Sequence, residues 1–413
     1  ANRFSKHNRL HKPNMLQKVL VSGKSICYTK PNPRPLIDSR PQRAAIGRRP
    51  FQRSVASTKA RRVAVSAAQK NGGVTVVESD DPAVQEMIEF LKDDLNNLFN
   101  DKGIDQSRYG EVVDFEDPIT KYNSLDGYLF NIKMLRYVFN PEFILHGIWQ
   151  SGPNEITSRW TMNMELSVNR ANPFRKFWDP KLTFTGLSVY TMDEASRKIV
   201  RHVDYWDAIE NQKYLSLEAV GHLISQLTDV TRTPELEGPR YTVLKKMGRY
   251  EVRRYKPYLV AEREMAAEGA ALPPQPEERR GAFRALAGYI FGSNREGRKM
   301  AMTTPVLSDS RSMQFVINGF ESSADAPSPN DSTVTVKECP GGVFAALRFS
   351  GRASEEEAQE KQGELRRMLA ADGYVAGDGF MTARYNDPSV QAAFRRNEVL
   401  VPVEGFKLLE VDA

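Results

Sequence analysis

Residues 250–255, Tyr-Glu-Val-Arg-Arg-Tyr, carry the clearest strand pattern in the C-terminal half of this chain. Apolar and charged side chains nearly alternate along them, which is typical of a strand with one buried face. Residues 241–244 show a similar pattern, and Met247-Gly248 between the two stretches favours a turn. Together they predict a β-hairpin that begins an antiparallel sheet.

The C-terminal half contains two segments with a similar order of predicted strands and helices, and the hairpin belongs to the first of them. Residues 281–292 predict a helix that ends at Gly292, and a second helix is predicted from Ser354, capped with Glu357 in the Ser-x-x-Glu manner, to Gly373. Strands are predicted around the second helix at 334–338, 343–349 and 380–385. Two strand–strand–helix–strand halves predict a pseudo-symmetric, twisted antiparallel β-barrel with two helices packed on it.

Residues 80–230 predict a separate α+β domain. Asp81-Pro82 favours the start of a helix that ends near Gly103, and Ser124 caps a second helix. The apolar period then changes to two, which predicts successive strands at 142–150, 155–168, 181–192 and 197–206. A closing helix at 216–227 and a polar linker at 228–239 precede the C-terminal domain, 240–413. Helices followed by a long meander predict a cone-like domain, in which a curved sheet wraps a helix and leaves a cavity.

Charge is distributed unevenly over the 413 residues. Residues 1–70 hold 17 Lys or Arg and one acidic residue, whereas the other 343 hold 41 basic and 51 acidic residues. The folded part is therefore not expected to bind nucleic acid. We interpret residues 1–72 as a chloroplast transit peptide, with mitochondrial import or a basic arm that binds an acidic partner as alternatives. No run of about 18 apolar residues predicts a membrane-spanning helix, and the two cysteines exclude a disulfide-rich scaffold.

Four ordered motifs in the C-terminal half resemble the SOUL heme-binding family. They are Tyr250-Glu251-Val252-Arg253-Arg254-Tyr255, Met300-Ala301-Met302-Thr303-Thr304-Pro305-Val306, Thr382-Ala383-Arg384-Tyr385-Asn386-Asp387-Pro388 and Arg395-Arg396-Asn397-Glu398-Val399. The resemblance covers residues 237–413. It implies reversible, non-catalytic binding of heme or another tetrapyrrole on an apolar surface beside the first helix of the domain.

The N-terminal domain carries a second resemblance. Phe115-Glu116-Asp117-Pro118 and Arg201-His202-Val203-Asp204-Tyr205-Trp206-Asp207 are similar to a plastid domain of unknown function with a nuclear-transport-factor-like cone fold. The whole chain therefore resembles a chloroplast two-domain SOUL protein. This resemblance implies carriage or buffering of tetrapyrroles in the chloroplast.

The predicted binding surface is the helix at 281–292 together with the arginines at its start. A tetrapyrrole is a wide apolar disc with propionates, so its site needs an apolar face with cations at the rim. The side chains assigned to the macrocycle are Phe283, Leu286, Ala287 and Ile290, and those assigned to the propionates are Arg280 and Arg284. The alternative is that the apolar stripe packs on the sheet and both arginines are solvated.

The C-terminal half has no histidine to ligate iron, because the five histidines are His7, His11, His146, His202 and His222. Some members of the family carry a histidine where this chain has Arg254, which cannot ligate iron while protonated. Cys339, in a Cys-Pro dipeptide, is kept as a candidate thiolate ligand, and no other metal ligand is predicted. Met300 and Met302 are assigned to the core. Affinity is then expected from apolar burial and propionate pairing, so metal-free porphyrins should bind within about tenfold of heme.

Two other functions stay open at this point. His202 and Asp204 lie two residues apart on one strand face and could act as an acid–base pair of an isomerase or dehydratase in the cone. Alternatively, both are hydrogen-bonded structural groups. The third interpretation is a structural or lipid-associated plastid protein on thylakoids or plastoglobules. The sequence does not indicate an oligomeric state.

Overall fold

The computed structural model describes residues 73–167, 180–229, 231, 233–265 and 274–409. The predicted transit peptide, residues 1–72, lies outside the described residues. The N-terminal elements, in chain order, are β1 (Thr75–Val76), α1 (Pro82–Leu95), β2 (Tyr109–Glu116), β3 (Lys121–Asn123), α2 (Leu125–Val138), β4 (Phe139–Gly152), β5 (Glu155–Leu166), β6 (Lys181–Met192), β7 (Ile199–Trp206) and α3 (Leu217–Leu227).

The N-terminal sheet is a meander extended at both ends. Its strand order is β1-β4-β5-β6-β7-β2-β3, with antiparallel pairing from β4 to β7 and parallel pairing of β1 with β4 and of β2 with β7. Register shifts in the β4–β5 pair, the kind of irregularity that bends and twists a sheet, occur at 145/147 and 150/152. The α+β prediction is confirmed, whereas β2 and β3 were not predicted.

The first helix begins where the sequence predicts and ends earlier. The Asp81 side chain accepts hydrogen bonds from the backbone N–H groups of Ala83 and Val84. The helix ends at Leu95, with Asn96 as C-cap, rather than near Gly103. Leu98 and Phe99, which precede the predicted end at Gly103, still pack on the core from the following turn.

Among the described residues, the C-terminal domain contains twelve α-helices and β-strands. They are β8 (Tyr241–Lys246), β9 (Glu251–Tyr255), β10 (Tyr258–Glu264), α4 (Pro276–Ile290), β11 (Val306–Ser308), β12 (Ser312–Ile317), β13 (Val334–Cys339), β14 (Gly342–Phe349), α5 (Glu355–Ala371), β15 (Val375–Ala376), β16 (Met381–Arg384) and β17 (Asn397–Glu404). Helix α4 starts five residues before the predicted start, because Pro276 and a capping box between Gln275 and Glu278 add a turn.

The strand order of the C-terminal sheet confirms the predicted pseudo-symmetry. The order is β13-β10-β12-β11-β16-β17-β14-β9-β8, all antiparallel. The segment β9-β10-α4-β11-β12 corresponds to β13-β14-α5-β16-β17, and the first strand of each segment pairs with the second strand of the other. Among the described strands, β13 does not pair with β8, so the sheet is an open half-barrel.

The two faces of the half-barrel have different roles. Alternate residues of each strand point to opposite faces. Helix α4 packs on one face with a core that includes Leu259, Ala261 and Leu286, and α5 packs on the same face through its own cluster. The opposite face carries a further apolar cluster, whose buried members are Tyr255, Val260, Leu307, Val316, Ala346, Ala383 and Leu400.

A buried ion network joins β9 to β17. Arg253 donates to both carboxylate oxygens of Glu398, over 2.6 and 3.0 Å, and its Nε donates to Glu251 over 2.7 Å. Arg396 donates to Glu398 Oε1 over 2.7 Å, and the Tyr385 hydroxyl donates to Oε2 over 2.9 Å. Burial alone would raise the pKa of Glu398, but attraction to Arg253 and Arg396 outweighs it and holds that pKa well below its usual value.

The two domains meet where β8 lies against the N-terminal sheet. Arg159 Nη2 donates to the carbonyl oxygen of Leu244 over 3.0 Å, and Thr161 Oγ1 donates to that of Val243 over 2.6 Å. The backbone N–H of Lys246 donates to Thr185 Oγ1 over 2.6 Å. Arg159 is held in a bidentate ion pair by Asp207, with 2.8 Å between Nη1 and Oδ1. Side chains of the N-terminal sheet thus bind the backbone of a C-terminal strand.

Two histidines of the N-terminal domain, one buried and one half-buried, make stability depend on pH. Burial lowers the pKa of His146 and of His222 to about 4, and nearby cations, chiefly Arg159 for the first and Lys246 for the second, lower it further. The unfolded chain therefore binds more protons between about pH 6.5 and 4, so each histidine makes the free energy of unfolding fall as pH decreases through that window. The expected loss is about 2 kcal/mol for each histidine between pH 7 and 5.

Asp117 gives stability a pH dependence of the opposite sign, because burial raises its pKa to about 6. Comparing the wild-type chain with a His222 variant cancels this contribution, since both chains contain Asp117. Urea unfolding at pH 7 and pH 5 should show that the wild-type chain loses about 2 kcal/mol more than His222→Gln. Equal losses in the two chains would contradict the prediction.

Candidate functional site

The outward face of α4 combines exposed apolar and basic side chains. Arg280, Phe283, Arg284 and Ala287 recur at three- and four-residue spacing and share that face. The Phe283 ring is 47% exposed and packs edge-on against Phe315, with 5.3 Å between ring centroids. Phe283 lies where this face meets β12, and Arg280, Phe283 and Arg284 are exposed, so a ligand can reach them.

Two of the six predicted binding residues lie elsewhere. Leu286 and Ile290 are buried in the core between α4 and the sheet, so neither can contact a macrocycle on the outward face. For these two residues the alternative interpretation, in which the stripe packs on the sheet, is correct. Residues 283, 286 and 290 lie within about 60° of one another around the helix axis, so they form one broad stripe, and the sheet covers Leu286 and Ile290 but leaves Phe283 half exposed at its edge.

Phe291 extends the outward face beyond the prediction, and Met302 differs from its predicted place in the core. Phe291, four residues after Ala287, is 56% exposed, and Met302 is 55% exposed rather than part of the core as predicted. Met300 lies beside the helix end, where its backbone N–H donates to the Ile290 carbonyl oxygen over 2.9 Å. The four-residue spacing from Phe283 through Ala287 to Phe291 was the signal available for Phe291.

The cations of this face are free to bind an anion. Arg280 lies 3.4 Å from Glu277 in an exposed pair, and such pairs contribute little to stability. Arg284 is exposed and has no carboxylate partner among the described residues. Either guanidinium can therefore turn to a ligand carboxylate at small energetic cost.

Comparison with known proteins identifies the C-terminal domain. A family model described as SOUL heme-binding protein matches residues 236–402, and one described as an uncharacterized conserved protein (DUF2358) matches residues 85–202. Heme-binding protein 1 of Mus musculus is 31% identical over 139 residues, which cover 30% of this chain and 72% of that protein. Heme-binding protein 1 of Sus scrofa is 30% identical over 138 residues, 30% of this chain and 71% of that protein. The chain belongs to the SOUL heme-binding family.

Solved structures with some likeness to each half were also found. The EcmrR C-terminal domain aligns with a TM-score of 0.29 and 11% identity, over 40% of this chain and 98% of that one. An NTF2-like protein of unknown function from Exiguobacterium sp. 255-15 aligns with a TM-score of 0.23 and 14% identity, over 28% of this chain and 98% of that one. At these TM-scores neither likeness carries an inference about function.

Cys339 of the SOUL domain lies on the inner face of the half-barrel rather than beside α4. It is half-buried at the end of β13, opposite Tyr258. Burial raises the pKa of the Cys339 thiol, which disfavours the thiolate that iron ligation requires. No group of three or more His, Cys, Asp or Glu side chains in the described part of the chain could hold a metal ion.

His202 and Asp204, the alternative catalytic pair, are in contact. His202 Nε2 lies 2.9 Å from Asp204 Oδ1, and Ser188 Oγ donates to the same carboxylate oxygen over 2.5 Å. The imidazole is 5% exposed and lies between the rings of Phe115, Tyr128 and Tyr190, whose centroids are 4.3 to 5.4 Å away. The predicted shared face is thus present, in an environment packed by aromatic rings.

Proposed function

We propose that the SOUL domain binds heme and related tetrapyrroles reversibly on the outward face of α4, without a histidine ligand. The observation that carries this proposal is the exposed stripe of Phe283, Ala287 and Phe291 beside Arg280 and Arg284. A macrocycle laid on this stripe would cover the aromatic side chains, and its propionates would reach the arginines. Family membership and the heme-binding names of the relatives support the choice of ligand.

The pseudo-symmetry of the C-terminal domain allows the outward face of α4 to be compared with that of α5. Helix α5 occupies the position in the second half that α4 occupies in the first, yet α5 contains no aromatic residue. Both helices need an apolar face toward the sheet, but only α4 presents phenylalanine outward. The Phe283 ring packs on Phe315 along one edge only, and the exposed part of it is available to a tetrapyrrole.

Absorption titration of the full chain tests the proposal. Hemin and protoporphyrin should each shift the Soret band on binding, with dissociation constants in the micromolar range and within about tenfold of each other. Since Phe283 and Phe291 would each be covered by the ligand, Phe283→Ser/Phe291→Ser should weaken both ligands about tenfold or more.

The control is Val375→Ser, which alters an apolar side chain of similar exposure on β15. It should leave both dissociation constants unchanged. A hundredfold preference for hemin would contradict binding without an iron ligand, and equal effects of the control and the double variant would contradict the α4 site.

We further propose that this binding serves non-catalytic carriage or buffering of tetrapyrroles in the chloroplast. The basic segment 1–72, with its resemblance to a transit peptide, supports this location. Fluorescence microscopy of the full chain fused to a fluorescent protein, compared with a chain lacking 1–72, tests it; plastid signal only with the segment present is expected. Mitochondrial signal would contradict it.

None of the helices among the described residues is long and apolar enough to cross a membrane.

A further inference from the structure

A cavity of about 1090 Å³ lies on the face of the half-barrel opposite α4 and α5. Its floor includes Tyr255, Leu307, Phe344 and Leu400, which belong to the inner apolar cluster. This volume is slightly above the range of about 300–1,000 Å³ typical of small-molecule sites. Because it lies on the opposite face of the sheet, the cavity is separate from the α4 surface proposed for tetrapyrroles.

Aromatic rings line the floor and one side of this cavity. The rings of Tyr241 and Tyr255 lie 5.0 Å apart between centroids, and those of Tyr255 and Phe344 lie 5.8 Å apart and nearly perpendicular. Tyr385 lines the cavity as well. Edge and face contacts of this kind favour a flat conjugated ring in the ligand.

The charged residues that line the cavity are mostly basic. They are Lys181, Arg240, Lys256, Arg348 and Arg396, against the acidic Asp229 and Glu235. Arg348 is paired with Asp229, and Arg396 is held by Glu398. Arg240 and Lys256 are exposed and have no carboxylate partner among the described residues, so they can receive an anion.

The interdomain linker forms one wall of the cavity. Asp229 is bound by Arg348, and Thr233 Oγ1 accepts a hydrogen bond from Arg396 Nη1 over 2.7 Å. Further along, the backbone N–H of Thr304 donates to the carbonyl oxygen of Glu237 over 2.9 Å. The wall is thus attached to the half-barrel at three points, and the site is complete only in the two-domain chain.

We propose that this cavity is a second ligand site, which takes a flat aromatic molecule with a carboxylate or sulfonate group. The ring of the ligand lies among Tyr241, Tyr255 and Phe344, and its anionic group pairs with Arg240 and Lys256. Nothing in this assignment requires a tetrapyrrole on α4, so the two sites can be occupied independently.

Fluorescence titration of the full chain with 8-anilinonaphthalene-1-sulfonate, an aromatic anion, tests the assignment. The wild-type chain should bind this probe, and Arg240→Gln/Lys256→Gln should bind it about tenfold more weakly because two charge-assisted contacts are lost. The matched control, Arg280→Gln/Arg284→Gln on α4, should bind the probe as the wild-type chain does. Both pairs of substitutions are on exposed side chains, so both variants are expected to fold.

Protoporphyrin titration of the same variants separates this assignment from the proposed function. The cavity variant should bind protoporphyrin normally, and the α4 variant should bind it more weakly. Absence of probe binding, or equal weakening of the probe by both variants, would overturn the cavity assignment. Displacement of the probe by protoporphyrin at one equivalent would also overturn it, because one site would then serve both ligands.

Discussion

Replacing Glu398 by glutamine is expected to lower the free energy of unfolding by about 3–5 kcal/mol. Glu398 is 0% exposed and accepts hydrogen bonds from Arg253, Arg396 and Tyr385. Glutamine keeps the size of the side chain but removes the negative charge, so the buried Arg396 loses its carboxylate partner and Arg253 keeps only Glu251. Urea denaturation at pH 7, followed by circular dichroism, measures the loss.

The control for this substitution is Glu404→Gln, at the exposed end of the same strand, which should change stability by less than about 0.5 kcal/mol. The pH dependence identifies the cause. Because the pKa of Glu398 is held below its usual value, its contribution is present above about pH 4.5 and decreases as pH falls below that value. The difference between wild type and Glu398→Gln should therefore shrink at pH 3; a constant difference would indicate a packing defect instead.

Replacing Arg159 by methionine is expected to lower the free energy of unfolding by about 3 kcal/mol and to uncouple the two domains. The substitution leaves the mostly buried Asp207 carboxylate with Thr185 as its remaining hydrogen-bond donor and removes the donor to the Leu244 carbonyl oxygen. Part of the lost free energy of unfolding comes from the contact between Arg159 and β8, which joins the two domains, rather than from interactions within either domain. Every tryptophan lies between residues 149 and 206, so tryptophan fluorescence reports the N-terminal domain alone.

The expected result is one unfolding transition in the wild-type chain and two in Arg159→Met, with tryptophan fluorescence following only one of them. Arg201→Met, an exposed substitution on β7, serves as control and should keep a single transition. Coincident fluorescence and circular dichroism curves in Arg159→Met would show that Arg159 does not couple the domains.

Helices and long strands could be predicted because their signals are local. The Asp81 and Ser354 caps and the two-residue period of β6 each depend on a few neighbouring residues, and the predicted range of β6 matches the observed one. The strands β2 and β3 were missed, since β2 pairs in parallel with β7, about 90 residues further along the chain, and β3 has three residues. Pairing of that kind leaves no local pattern.

The candidate site could be predicted only in part for a related reason. Helical spacing places Phe283, Leu286 and Ile290 on one broad apolar stripe, but the sheet position decides which edge of the stripe is covered. The cavity was missed entirely, because it forms from the linker, β8, β9 and the ends of β16 and β17. Arg253 and Glu398 are 145 residues apart, and only the fold brings them together.

Strand β8 is an edge strand of the C-terminal sheet, and backbone groups on the unpaired side of an edge strand can pair with a strand from another molecule. The groups of Val243, Leu244 and Lys246 on that side are instead occupied by Thr161, Arg159 and Thr185. The N-terminal domain therefore covers the β8 edge of this sheet, whereas β13 forms the other edge. A SOUL domain that begins at residue 240 is therefore expected to self-associate more than the whole chain, as measured by analytical ultracentrifugation.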